Sequence, residues 1–346
     1  MESERILGQN HILRHFENAI RMGKISHAYI INGEEGSGKM NLAIHFAKAL
    51  QCERNNSNKA INEDGERITV PGTACGQCKS CKQTDSKNQP DIKYITYEKS
   101  GIGVDEIREQ INDDIDIKPY SSPHKIYIVP ESEKMTVQAQ NALLKTIEEP
   151  PEYAIIILLT TNADTFLQTI LSRCVMLNIR PVKEDIIKNQ LTSQYGVGDY
   201  EARVAATFSN GNPGKAIKLA TSEEFKELKQ YVVGMFMSLE KGGMDIIGEA
   251  IKKTGTFKKQ IDEYFSLMRI WFRDILVYKA TKEEDQIIFQ DEYMTIEKMS
   301  QTYSFDDIND ILRAIDLAES RIKSNVNFDS TIEILLLSIK EKTSGK

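Results

Sequence analysis

The sequence has no apolar run of about 18 residues, so no helix long enough to cross a bilayer is expected. Its first residues, Met1-Glu2-Ser3-Glu4, are acidic and no apolar signal-peptide stretch follows, which makes a cytoplasmic location the expectation. An excess of positive charge is also missing. Lys and Arg number 44 against 51 Asp and Glu, a formal net charge of −7. That balance excludes a protein that grips nucleic acid over its whole surface, and leaves room only for a local basic face or basic partners. Cysteine is scarce, with five residues, so a disulfide framework is not expected in a cytosolic chain. There is no internal repeat and no low-complexity linker. What remains is an ordinary globular composition, 40% hydrophobic and 27% charged, in a 346-residue chain long enough for two or three domains.

One stretch carries a chemical pattern. Ala28-Tyr29-Ile30-Ile31 is short, apolar and rich in strand formers, as a buried parallel strand should be. Residues 41–50 place Leu42, Ala43, Phe46, Ala47 and Leu50 at helical spacing. Between them Gly33-Glu34-Glu35-Gly36-Ser37-Gly38-Lys39-Met40 fits the phosphate-binding loop G-x-x-x-x-G-K-[ST] at seven of eight positions. Glycines let backbone N–H groups turn inward around a phosphate, the helix N-terminus faces the anion, and Lys39 would reach the β- and γ-phosphates. Gly33, Gly36, Ser37, Gly38 and Lys39 are therefore the candidate nucleotide-binding residues. The eighth position should offer a hydroxyl to Mg²⁺, and Met40 offers a thioether, a poor ligand for a hard cation. The loop reads as a nucleotide site that has lost its metal ligand, with weak ATP binding or none. A glycine-rich turn without any ligand is the plain alternative.

Cys52 ends that helix, and after 22 intervening residues comes Cys75-Gly76-Gln77-Cys78-Lys79-Ser80-Cys81. Two C-x-x-C units share Cys78, and Cys52 is available as a fourth thiolate. Four soft ligands suit tetrahedral Zn²⁺ in a closed structural site, while a redox pair would need only two of them. Residues 53–74 read as a solvated loop. Cys174 reads as a buried core residue.

Further strands are expected at 92–97, 125–129, 154–159 and 175–179, and helices at 5–23, 104–114, 138–147 and 165–171. This alternation predicts a three-layer α/β domain with a largely parallel sheet. The strand at 125–129 ends in Pro130-Glu131, where a Walker B strand would end in Asp-Glu. The carboxylate that would hold Mg²⁺ is replaced by proline, and the glutamate that would activate water remains. After Arg180-Pro181 the strand signal fades. Residues 182–220 predict two or three short helices, and helices follow at 223–240, 257–280, 294–300, 306–323 and 329–341, with Phe265, Met268, Trp271, Phe272 and Ile275 forming a core stripe.

The combination resembles the clamp-loader branch of the AAA+ ATPases. The resemblance rests on Gly8-Gln9, Ser26-His27-Ala28-Tyr29, the loop with its four cysteines, Gln89-Pro90-Asp91, Asn141-Ala142-Leu143-Leu144-Lys145, Glu148-Glu149-Pro150-Pro151, Ser172-Arg173-Cys174, Gly214-Lys215-Ala216 and Ser324-Asn325-Val326-Asn327. It implies a RecA-like AAA+ α/β domain over 1–180 with a zinc-binding insertion at 52–81. A small helical lid over 181–222 and an all-helical collar over 223–346 would follow. It implies a subunit of the DNA polymerase III clamp loader, acting beside tau/gamma and delta subunits on a sliding clamp and primed DNA, with no membrane partner. The losses at Met40 and Pro130 match a non-catalytic stator without ATPase activity of its own rather than an ATP-hydrolysing tau/gamma-type subunit. The resemblance also assigns roles. Arg173 is implied as an arginine finger acting in trans, and Cys52, Cys75, Cys78 and Cys81 as ligands of a structural zinc. Lys215 is placed where active members carry a lid arginine.

Overall fold

The computed structural model describes residues 6–56, 71–98, 101–241 and 245–344. Most of the 53–74 segment read as a solvated loop lies outside the described residues. Two compact units form. One comprises residues up to Ile186 together with Gly211–Lys215, and the other Ile187–Asn210 with Ala216 onward.

The first unit is built on five strands: β1 (Ala28–Asn32), β2 (Ile92–Tyr94), β3 (Lys125–Val129), β4 (Ala154–Thr160) and β5 (Val175–Asn178). Their order is β2-β3-β4-β1-β5, and every neighbouring pair is parallel. β3 and β4 are buried at every position, which is why Ile126–Val129 and Ala154–Leu159 read as unbroken apolar runs. Successive side chains leave opposite faces of the sheet. Tyr29, Ile31, Ile126, Ile128, Ile155 and Ile157 join the cluster under the helices Asn10–Arg21 and Lys39–Leu50. Ile30, Tyr127, Val129, Ile156 and Leu158 join the cluster under Val104–Ile107 and Val137–Glu148. This is the three-layer α/β domain with a parallel sheet that the sequence predicted.

Three local expectations are corrected. The second strand stops at Tyr94 rather than Tyr97, because the Gln110 side chain takes over the Thr96 backbone, accepting from its N–H at 3.0 Å and donating to its carbonyl at 2.8 Å. The helix read over 104–114 contains a π turn at Arg108–Asn112. The helix read over 165–171 is confined to Gln168–Leu171, since Gln140 Oε1 accepts from Leu167 N–H at 2.8 Å and fixes an extended approach.

Gln89-Pro90-Asp91 acquires a structural role. The buried Asp91 carboxylate accepts from Tyr120 N–H at 2.5 Å, Ser121 N–H at 2.8 Å and Ser121 Oγ at 3.1 Å. Gln89 Nε2 donates to Ser80 Oγ at 2.8 Å and Ser122 Oγ at 3.0 Å, tying the cysteine-bearing helix to the same loop.

The second unit is helical: Asp199–Phe208, Glu223–Lys241, Asp245–Thr256, Ile261–Thr281, Tyr293–Thr302, Phe305–Lys323 and Phe328–Ser344 are its main helices. The stripe Phe265, Met268, Trp271, Phe272 and Ile275 is buried. Asp245–Thr256 was not expected, because Gly248 and Gly255 lower its helix propensity; burial of Ile247 and Ala250 overrides that cost. Among the described residues no helix is long and apolar enough to cross a membrane.

Replacing Asp91 with Ala should destabilise the first unit by about 2 kcal/mol, since two backbone donors lose a charged acceptor. Urea unfolding checks this, and an unchanged midpoint would show that water replaces the carboxylate at no cost.

Candidate functional site

The parallel sheet positions the loop after β1. Gly33 N–H donates to Thr160 O at 3.1 Å, so the loop leaves the sheet beside the end of β4. Gly36 and Gly38 hold φ of +79° and +92°, backbone conformations that a side chain would strain. The five candidate residues Gly33, Gly36, Ser37, Gly38 and Lys39 therefore do form a strand–loop–helix cradle. Its lysine is already engaged. Lys39 Nζ donates to Gly33 O at 2.6 Å and Glu34 O at 2.8 Å, and Ser37 Oγ donates to Glu34 O at 2.6 Å. Burial pulls the Lys39 ammonium below the usual lysine range, against the opposing pull of Glu133, Glu35, Glu131 and Glu34. Met40 is half-buried and packs against the apolar cluster under this helix.

The end of β3 is likewise occupied. Glu131 sits at φ +46°, a conformation costly for a non-glycine residue. Its carboxylate accepts from Tyr97 OH and, at 2.9 Å, from Lys134 Nζ, which also donates to Tyr97 OH at 3.1 Å. Tyr97 foremost, and then Lys134, hold Glu131 below the usual carboxylate range. Glu133 accepts from Thr161 N–H at 3.3 Å and Thr161 Oγ1 at 2.8 Å. Both carboxylates are thus tied to neighbouring groups, Glu131 to Tyr97 and Lys134 and Glu133 to Thr161.

A third element closes on the loop. Gly214 N–H donates to Gly36 O at 3.1 Å, and Asn212 Nδ2 donates to Glu35 O at 2.8 Å. Asn212 Oδ1 accepts from Lys215 N–H at 3.1 Å. A Cβ at Gly214 would stand 2.4 Å from Gly36 O, so the approach requires glycine there. Gly214 and Asn212 thus meet the loop directly, and the Lys215 N–H orients Asn212.

Arg173 lies apart from this cradle, with its side chain 41% exposed. Nη2 pairs with Glu148 Oε1 at 2.9 Å, and Nη1 donates to Thr169 O at 3.1 Å and, more weakly, to Ser172 Oγ at 3.4 Å. Burial pushes the Cys174 thiol up to about 12, which leaves it an inert packing group.

The four sulfur atoms of Cys52, Cys75, Cys78 and Cys81 lie within 4.8 Å of one another. Cys75 and Cys81 Sγ are 3.9 Å apart, close to the ~3.8 Å that tetrahedral Zn–S bonds of about 2.3 Å would impose. Cys75 N–H donates to Cys52 Sγ at 3.3 Å, Cys78 N–H to Cys75 Sγ at 3.4 Å and Cys81 N–H to Cys78 Sγ at 3.4 Å. Amide donors of Cys78 and Gln77 bring the Cys75 thiol down to about 6, while burial foremost pushes Cys81 up. All five cysteines are free. The donor set fits a metal ion, and Cys52, despite its distance along the chain, sits fully buried within it.

Residues 8–183, more than half of the chain, match the family described as DNA polymerase III, delta subunit, and residues 248–341 match that subunit's C-terminal family. The chain belongs to the DNA polymerase III delta-subunit family. The DNA polymerase III subunit delta' of Bacillus subtilis is 26% identical over 337 residues, covering 96% of either chain. The likeness to this subunit therefore runs nearly end to end. Subunit tau of Bacillus subtilis is 33% identical over 221 residues, 62% of this chain and 36% of tau. The tau subunit of Escherichia coli is 31% identical over 186 residues, 54% of this chain and 26% of its own length. The chain thus spans only about a third of tau.

Sequence reasoning missed Tyr97, Lys134, Asn212 and Glu148 as partners of the singled-out groups. Each is far in sequence or adjacent in a way that periodicity does not register. Gly214→Ala should force the closing segment off the loop, at a cost of about 1–3 kcal/mol for an overpacked contact. Hydrogen exchange at residues 33–39 should then speed up by at least tenfold; unchanged protection would mean that the Gly36–Gly214 contact does not hold the loop.

Proposed function

We propose that this chain is a non-catalytic subunit of the bacterial DNA polymerase III clamp loader, acting as a stator and lending Arg173 in trans to the ATP site of a neighbouring subunit. Residues 1–180 serve as the AAA+ domain, 181–222 as a lid and 223–346 as a collar that joins tau/gamma and delta subunits. Through that complex, in the cytoplasm, the chain works on the sliding clamp and primed DNA. The observation that carries this reading is the contrast between two sites. In the chain's own cradle Lys39 is spent on loop carbonyls, Glu131 is spent on Tyr97 and Lys134, and neither position 40 nor 130 offers oxygen to a metal. Arg173 is also paired, with Glu148, Thr169 O and Ser172 Oγ, but it sits at the surface and its Nε has no acceptor among the described residues, so a donor remains for a phosphate supplied by another chain. Phosphoryl transfer is mostly positioning and charge stabilisation, so a finger needs no intact site of its own. The rival reading as an ATP-hydrolysing tau/gamma-type subunit draws on the retained Lys39 and Glu131 and the likeness to tau, but both side chains are committed elsewhere.

We read the four-cysteine cluster as a structural zinc site held by Cys52, Cys75, Cys78 and Cys81. The bound ion would cross-link the end of the P-loop helix to the helix Lys79–Asp85, with no position left open for catalysis.

Two measurements test these proposals. Elemental analysis should return about one zinc per chain, lost in Cys78→Ser; protein purified without chelators that carries no metal would remove the zinc reading. Arg173→Ala should leave the isolated subunit folded and slow hydrolysis at the one affected site of the reconstituted complex by on the order of 10³-fold, with a smaller fall in bulk turnover. Wild-type turnover and clamp loading would return Arg173 to a surface ion pair.

A further inference from the structure

We infer that Glu148 is a positioning residue for Arg173, setting the orientation in which the guanidinium is presented; the inference rests on the reading of Arg173 proposed above. Glu148 is the last residue of the helix Val137–Glu148, whose buried Ala139, Leu143 and Ile147 fix it against the sheet. Pro150-Pro151 prevents the helix from continuing, so the carboxylate stands at a defined end. The segment that leads to Arg173 is clipped to this same helix. Gln140 Oε1 accepts from Leu167 N–H at 2.8 Å and Gln140 Nε2 donates to Thr165 O at 3.1 Å. Both members of the pair therefore ride on one rigid frame.

The guanidinium is held from two sides. Glu148 takes Nη2 at 2.9 Å, while Thr169 O and Ser172 Oγ take Nη1. Nε has no acceptor among the described residues, so donors remain for an incoming phosphate. An ion pair whose side chains are 41% and 44% exposed contributes little to folding. Its effect is to restrict a long side chain before the phosphate arrives, so that less orientational freedom is lost in the transition state. A side-chain oxygen that accepts one N–H is enough for that task, and the negative charge is not needed.

The experiment compares Glu148→Ala, Glu148→Gln, Arg173→Ala and Glu148→Ala/Arg173→Ala subunits, each in the reconstituted complex, by single-turnover ATP hydrolysis in the presence of clamp and primed DNA. Glu148→Ala should slow the affected site by on the order of tenfold with an unchanged melting temperature. Glu148→Gln should restore most of the rate, and Glu148→Ala should add nothing once Arg173 is gone. A wild-type rate in Glu148→Ala beside a slow Arg173→Ala would overturn the positioning role and leave the finger standing. An equal loss from Glu148→Ala with and without Arg173 would place Glu148 in some other task. Wild-type rates in Arg173→Ala itself would sink the underlying reading.

Discussion

The two short bonds from the Lys39 ammonium to Gly33 O and Glu34 O fold the loop after β1 onto itself. A phosphate-binding loop works because its N–H groups and its lysine converge on an anion. Here the lysine turns back on the loop's own carbonyl oxygens, where charge-assisted bonds satisfy it without any ligand. Neighbouring groups are consistent with that state. Met40 packs into the core, Glu131 is locked between Tyr97 and Lys134, and Gly214 approaches Gly36 closely enough to exclude any side chain. A nucleotide would have to displace several of these contacts together.

The rest of the unit is assembled by polar ties between segments far apart in the chain. Asp91 and Gln89 gather the loop at residues 120–122 against the cysteine-bearing helix, and the cysteine cluster gathers that helix against the end of the P-loop helix. The cradle keeps a strand–loop–helix form with its lysine turned onto its own carbonyl oxygens, and Arg173 stands at the surface paired with Glu148.

The sheet was legible because β1, β3 and β4 are buried on both faces and so leave unbroken apolar runs bounded by Gly, Pro and Asn. The four-cysteine cluster was legible from spacing alone, although it took the fold to bring Cys52 into reach. What stayed hidden was tertiary. Gln110 ends the second strand from 14 residues away, and Gln140 delays the helix before Arg173 from 27 residues away. The glycines of Asp245–Thr256 masked a helix whose stability comes from packing. The resemblance singled out Lys215, and the close backbone approach that selects its neighbour Gly214 exists only in three dimensions.

The most direct test of a self-closed cradle is calorimetric titration of the isolated chain with ATP, with and without Mg²⁺. The account predicts no saturable binding up to about 1 mM nucleotide and no gain from the metal, because the loop's lysine is already satisfied and positions 40 and 130 offer the cation no oxygen. Saturable binding in the micromolar range that strengthens with Mg²⁺ would contradict it.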